Sequence, residues 1–151
     1  MPETQVLSSK ILGVKNNQHI IILHGLYGSC DSLLFLGKKL ADKYSVHLLN
    51  LRNHANSIFS DSMTYDIMVE DIKNYLSQYN ILTASLIGHS MGGKIAMFFA
   101  KKYPQLCDNI VAIDISPKSY LNLTSYNDIP IFHLNLLSKL FKNLAIISFG
   151  F

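Results

Sequence analysis

Charge is scarce in this sequence. Asp, Glu, Lys and Arg make up 15% of the residues, against 49% apolar ones. That balance excludes a disordered chain and predicts elements buried on both faces, as in a parallel sheet flanked by helices. The 13 basic and 10 acidic side chains leave a net charge of only +3. Lysines are scattered, with only the pairs Lys38-Lys39 and Lys101-Lys102 adjacent. No basic stripe interleaves with aromatics, so nucleic-acid binding is not expected. Cysteine is rarer still. Cys30 and Cys107 are isolated and show no metal-ligand spacing. Two reduced thiols in a cytoplasmic protein are expected, with no metal or other cofactor.

The N-terminus, MPETQVLSSK, lacks the apolar core of a signal peptide. Residues 131–151 are rich in Leu, Ile and Phe, but His133, Asn135, Lys139, Lys142 and Asn143 interrupt them. A membrane span wants about 20 mostly apolar residues. No span is expected, and residues 131–147 read as a mostly helical, amphipathic stretch. Repeats, low-complexity tracts and linkers are absent, and 151 residues suffice for one domain with a core.

What is present is alternation. Strands are expected over residues 6–14, 19–23 (HIIIL), 46–51, 83–87 (TASLI) and 109–115 (NIVAIDI). Between them, helices are expected over 33–44, from a cap at Thr64 or Asp66 to about 79, and over 91–103, where Pro104 stops the last one. The stripe of the second is Ile67, Met68, Ile72, Tyr75 and Leu76. Strands alternating with helices give an α/β fold with a mainly parallel sheet flanked by helices.

LIGHSMGGK, residues 86–94, carries the chemistry. Gly88-His89-Ser90-Met91-Gly92 fits G-x-S-x-G. This spacing puts a serine at the tip of a sharp strand-to-helix turn. The glycines keep side chains away where strand and helix crowd together. The Met91 amide, at the helix start, then points at a developing oxyanion. The same stretch nearly fits a phosphate-binding loop through Gly88, Gly93 and Lys94. The next residue, Ile95, replaces the hydroxyl that such a loop uses to hold Mg²⁺. Asp114 could formally supply that loop's acidic strand end.

A second motif decides. His24-Gly25-Leu26-Tyr27-Gly28 follows strand HIIIL directly, where a hydrolase of this kind places its other oxyanion amide, here Leu26. His24, a strand-end histidine before glycine, reads as a brace for that loop. From the residues alone, Asp114 reads as a strand-end loop cap.

Together HGLYGS, GHSMGGK, LNLRNHANS (49–57) and AIDISPKSY (112–120) resemble the α/β-hydrolase fold. Within it they resemble the small bacterial YbfF-type esterases and their mitochondrial relatives. The likeness runs from about residue 20 to 120. It implies that Ser90 is the nucleophile, that the Leu26 and Met91 amides hold the oxyanion, and that Asp114 is the acid that orients a histidine. Arg52, Asn53 and His54 would shape a loop. The substrate would be a small-molecule acyl ester or thioester.

Chain order in this fold is Ser, then Asp or Glu, then His. The only histidine after Asp114 is His133, in the stretch where the family begins its cap. The chain reads as the N-terminal portion of such a hydrolase: core over 1–118, and start of a cap or a divergent tail over 119–151. The histidines at 19, 24, 47, 54 and 89 do not match the position of the family's base. Losing a triad member costs on the order of 10⁴–10⁶ in turnover. An inactive remnant or binding module is therefore the alternative to a working esterase. The resemblance also implies that strand NIVAIDI becomes an apolar sheet edge; residues 131–151 would fold over it, or the chain would self-associate or pair with another polypeptide.

Overall fold

In a computed structural model, residues 6–13, 17–114 and 144–147 are described. They form one six-stranded sheet with helices on both faces. Strand β1 is Ser9–Leu12, β2 is His19–Leu23, β3 is Ser45–Leu49, β4 is Ala84–His89, β5 is Cys107–Ile113 and β6 is Leu144–Ile147. Their order across the sheet is β1-β3-β2-β4-β5-β6. Only β1 runs antiparallel, against β3; all other neighbours pair in parallel.

HIIIL illustrates why the sheet forms. Alternate side chains of a strand point to opposite faces. Ile21 and Leu23 enter one core with Leu49, Leu86, Ile110 and Ala112, whereas Ile20 and Ile22 enter a second with Val46, Leu48 and Ile87. Both faces are buried, so the strand reads as a continuous apolar run. Burying such a side chain contributes about 1.5–3 kcal/mol.

Helix α2, Tyr65–Gln78, and helix α3, Met91–Lys102, cover the first face. Thr64, not Asp66, caps α2: its Oγ1 accepts the Ile67 N–H at 3.3 Å. Met68, Ile72, Tyr75 and Leu76 are buried as the stripe requires, Val69 and Asp71 join them, and Ile67 is only half-buried. Helix α1, Leu34–Leu40, covers the second face. It ends four residues earlier than the periodicity predicts, and the segment before it, Cys30–Leu33, winds as a 3₁₀ turn capped by Ser29.

Two expectations are corrected at the C-terminal end. Residues 144–147 were expected to close a helical stretch; they form β6 instead, pairing from Ile110↔Leu144 to Ile113↔Ile147. A short apolar run such as LAII fits a strand as readily as a buried helix turn, and the unpaired backbone groups of β5 favour the strand. Strand β5 is therefore interior. Among the described residues, β1 and β6 are the sheet edges. Residues 131–143, the rest of that expected stretch, lie outside the described residues, as does His133.

Candidate active site

Strand β4 ends at His89 and α3 begins at Met91. Ser90 alone makes the turn, with φ 50° and ψ −114°. A side chain at positive φ costs about 1–2 kcal/mol, and such strain persists only where the surroundings hold it. Here the Ser90 N–H donates to Ile113 O at 2.9 Å, tying the turn to β5. The Ser90 carbonyl accepts from the N–H groups of Gly93 and Lys94 at 3.0 and 3.2 Å.

The two motif glycines are needed sterically. A Cβ on Gly88 would lie closer than 3.0 Å to the Gly92 carbonyl, and one on Gly92 would meet His24 O at 2.7 Å and Leu23 O closer still. Serine at a helix N-cap ordinarily spends its hydroxyl on the first-turn N–H groups. Ser90 makes no such bond. The hydroxyl stays available, and the first N–H of α3, from Met91, has no intrahelical partner, as at any helix start.

The β2 loop approaches the same point. A Cβ on Gly25 would lie 2.9 Å from His89 Nδ1 and 3.4 Å from Ser90 Cβ. Gly28 N–H donates to Gly25 O at 3.0 Å, closing a turn in which Tyr27 has φ 60°. Leu26 is 53% exposed at its tip, and its N–H has no partner among the described residues.

His24 is a brace. It is buried, its Nε2 accepts the Leu51 N–H at 3.1 Å, and its Nδ1–H donates to Gly25 O at 2.7 Å. Burial holds its pKa below the usual imidazole value. His54 repeats the pattern: Nδ1–H donates to Arg52 O at 2.8 Å, and Nε2 accepts the Tyr27 N–H at 3.2 Å. The two rings meet edge-on, 4.9 Å between centroids. Arg52 turns away from the site into a bidentate pair with Asp71, at 2.7 and 2.8 Å. Asn53 holds the loop through Ser60, accepting its N–H and donating to its carbonyl, both at 2.8 Å.

Asp114 follows β5 with φ 52°, and His89 Nε2 stands 3.7 Å from its Oδ2. No local pattern of residues signals this contact, which arises because β4 and β5 end side by side in the register His89↔Ile113. Ser90, Met91, Leu26 and Asp114 thus gather at the carboxyl ends of three adjacent parallel strands, where open α/β sheets bind their ligands. Ile95, by contrast, is fully buried in α3. The position at which a phosphate loop needs a metal-binding hydroxyl is core, and the phosphate-loop alternative is rejected.

Residues 18–145 match the family described as alpha/beta hydrolase fold. The chain belongs to the α/β-hydrolase fold family. Among curated proteins, it is 38% identical over 105 residues to esterase YbfF of Escherichia coli (strain K12), covering 70% of this chain and 41% of that protein. It is 39% identical over 107 residues to sn-1-specific diacylglycerol lipase ABHD11 of Danio rerio, covering 70% of this chain and 34% of that one. A solved structure of a marine microorganism esterase superposes with TM-score 0.74 at 35% identity, covering 91% of this chain and 51% of that one. The chain therefore spans less than half the length of these curated hydrolases.

Both cysteines of this α/β-hydrolase chain are free and buried. Burial pushes the Cys107 thiol up to about 12, so it is no nucleophile at neutral pH. No group of three or more metal-ligating side chains occurs among the described residues. No helix among them is long and apolar enough to cross a membrane.

Proposed function

We propose that this chain carries the nucleophile side of a carboxylesterase-type site acting on small acyl esters or thioesters. Ser90 Oγ attacks the acyl carbon. The Met91 and Leu26 amides stabilise the oxyanion of the tetrahedral intermediate. Asp114 would orient a histidine base, one that no described residue supplies, to take the Ser90 proton and return it to the leaving alcohol or thiol. Water then releases the acid from the acyl-enzyme. The observation that carries this reading is the strained, uncapped Ser90 between Gly88 and Gly92.

The test is covalent labelling of the folded chain with a fluorophosphonate. The reading expects a single adduct on Ser90 that is absent in Ser90→Ala. An unlabelled, folded wild-type chain sinks it.

One observation favours a second reading, a non-catalytic remnant or binding module. Among the described residues no imidazole hydrogen-bonds the Ser90 hydroxyl. That reading expects p-nitrophenyl ester turnover no greater than in Ser90→Ala.

Two free thiols suit a reducing compartment, and we place the protein in the cytoplasm on that ground. Self-association, if it occurs through a sheet edge, would use β6 rather than β5. Sedimentation of the chain against a variant carrying Ala145→Lys tests it.

A further inference from the structure

The histidine at 54 sits in a turn built at some cost. Both its neighbours, Asn53 and Ala55, have positive φ, 62° and 50°. Alanine there gains nothing locally and costs about 1–2 kcal/mol. The turn is held by Asn53 N–H to Ile58 O at 2.7 Å, His54 N–H to Leu51 O at 3.1 Å and Ser57 N–H to His54 O at 3.1 Å. The result is an imidazole whose tautomer is set at one end and whose acceptor is aimed at the other. Nδ1–H is committed to Arg52 O, so Nε2 must accept, and what it accepts is the backbone N–H of Tyr27. The Tyr27 side chain plays no part; it is 92% exposed.

We infer that His54 is a positioning residue for the oxyanion loop, acting through the Tyr27 amide on the amide of Leu26. This rests on the reading of Leu26 as an oxyanion donor. Three consequences follow from the geometry. The Tyr27 N–H is spent on His54, which leaves Leu26 as the loop-tip amide free to face a substrate. Tyr27 is held in its left-handed conformation by that bond, and the turn closed by Gly28 N–H to Gly25 O depends on that conformation. Finally, the His24 ring packs against His54 and anchors the opposite end of the same turn through Gly25 O. Two imidazoles therefore clamp the loop while its tip stays open.

Nuclear magnetic resonance of the whole chain tests this without relying on Ser90 chemistry. In the wild type, His54 Nε2 is expected to be unprotonated and to show a scalar coupling to the Tyr27 amide nitrogen across the hydrogen bond. A protonated Nε2, or no coupling, overturns the proposal.

His54→Gln keeps an acceptor and His54→Leu removes it. The amide resonances of Leu26 and Tyr27 are expected to move in His54→Leu and to return toward wild type in His54→Gln. Equal displacement in both, or none in either, overturns it.

Where Ser90 labels, the fluorophosphonate rate reports the function of the loop. Misplacing a catalytic group by about 1 Å costs on the order of 10²-fold. His54→Leu should slow labelling by about that factor, with recovery in His54→Gln; labelling at the wild-type rate in His54→Leu overturns the proposal. A wild-type chain that fails to label defeats the esterase reading alone. The coupling and the amide shifts then decide the role of His54.

Discussion

His89 Nε2 lies 3.7 Å from Asp114 Oδ2, joining the ends of the neighbouring strands β4 and β5 beside Ser90. This is longer than a hydrogen bond, and the side chains are 40% and 46% exposed. Such a pair contributes about 0–1 kcal/mol. It leaves the Asp114 carboxylate with capacity to accept from another imidazole.

Asp114→Asn should therefore barely alter folding, with a thermal midpoint near that of the wild type. Any ester turnover that depends on Ser90 should fall by about 10⁴, because an amide neither fixes the tautomer of a base nor stabilises its cation. Melting curves and p-nitrophenyl ester assays separate the two effects.

Ser90→Gly should stabilise the chain while abolishing nucleophilic labelling. Glycine adopts φ 50° without the penalty that serine bears there, a gain of about 1 kcal/mol. For a domain of this size that is about 2–4 °C in thermal midpoint. A lower midpoint than wild type would show that the turn is not strained.

Stability should fall in mild acid through His47. Its Nδ1 faces Tyr75 Oη at 2.9 Å, its Nε2 faces His19 Nδ1 at 3.1 Å, and the Tyr75 hydroxyl donates to Ser9 Oγ at 2.8 Å. Burial, with a smaller contribution from His19, lowers its pKa to about 4. The unfolded chain thus binds the proton more readily than the folded one. The contribution is fully present above about pH 6.5 and is lost as pH falls from there toward 4. His47→Gln, which does not titrate, should be less stable at pH 7 yet lose about 1–2 kcal/mol less between pH 7 and 4.5 in urea titrations. Parallel pH profiles for the two proteins would contradict this.

Breaking the Arg52–Asp71 pair from one side should be costly. The two side chains are 11% and 8% exposed and share two hydrogen bonds. Asp71→Ala leaves a part-buried guanidinium without its carboxylate, which costs about 3 kcal/mol, the low end for a buried pair. Replacing both, by Arg52→Met with Asp71→Leu, should recover much of that in denaturant unfolding. Because Arg52 also donates to Ser62 O at 3.0 Å, the single variant should loosen the loop that carries His54, visible as faster amide exchange at residues 53–60.

How far the sequence discloses this structure depends on the range of the forces involved. HIIIL, the Thr64 cap, the α2 stripe and Pro104 after α3 are local signals, and each element forms within a few residues of its expected bounds. The G-x-S-x-G spacing is local too, so the turn at Ser90 is legible. Strand β6 is not, because LAII has no periodicity to separate strand from helix and its partner lies over 30 residues away. Nor is the contact of His89 with Asp114, or of His54 with Tyr27. Both depend on where separate loops end up once the parallel strands have set their register.

The glycine contacts at the site have a mechanical consequence. Gly92 in α3 rests on the last carbonyls of β2, and Gly25 beyond β2 rests on His89 and Ser90. Gly92 meets backbone at the end of β2, Gly25 meets the His89 ring and Ser90 Cβ, and neither place has room for an added side chain. Ser90, the start of α3 and the loop after β2 therefore form one interlocked body. Thermal motion can carry that body about, but it cannot readily change the spacing within it, and a ligand that pushes on one loop must move both.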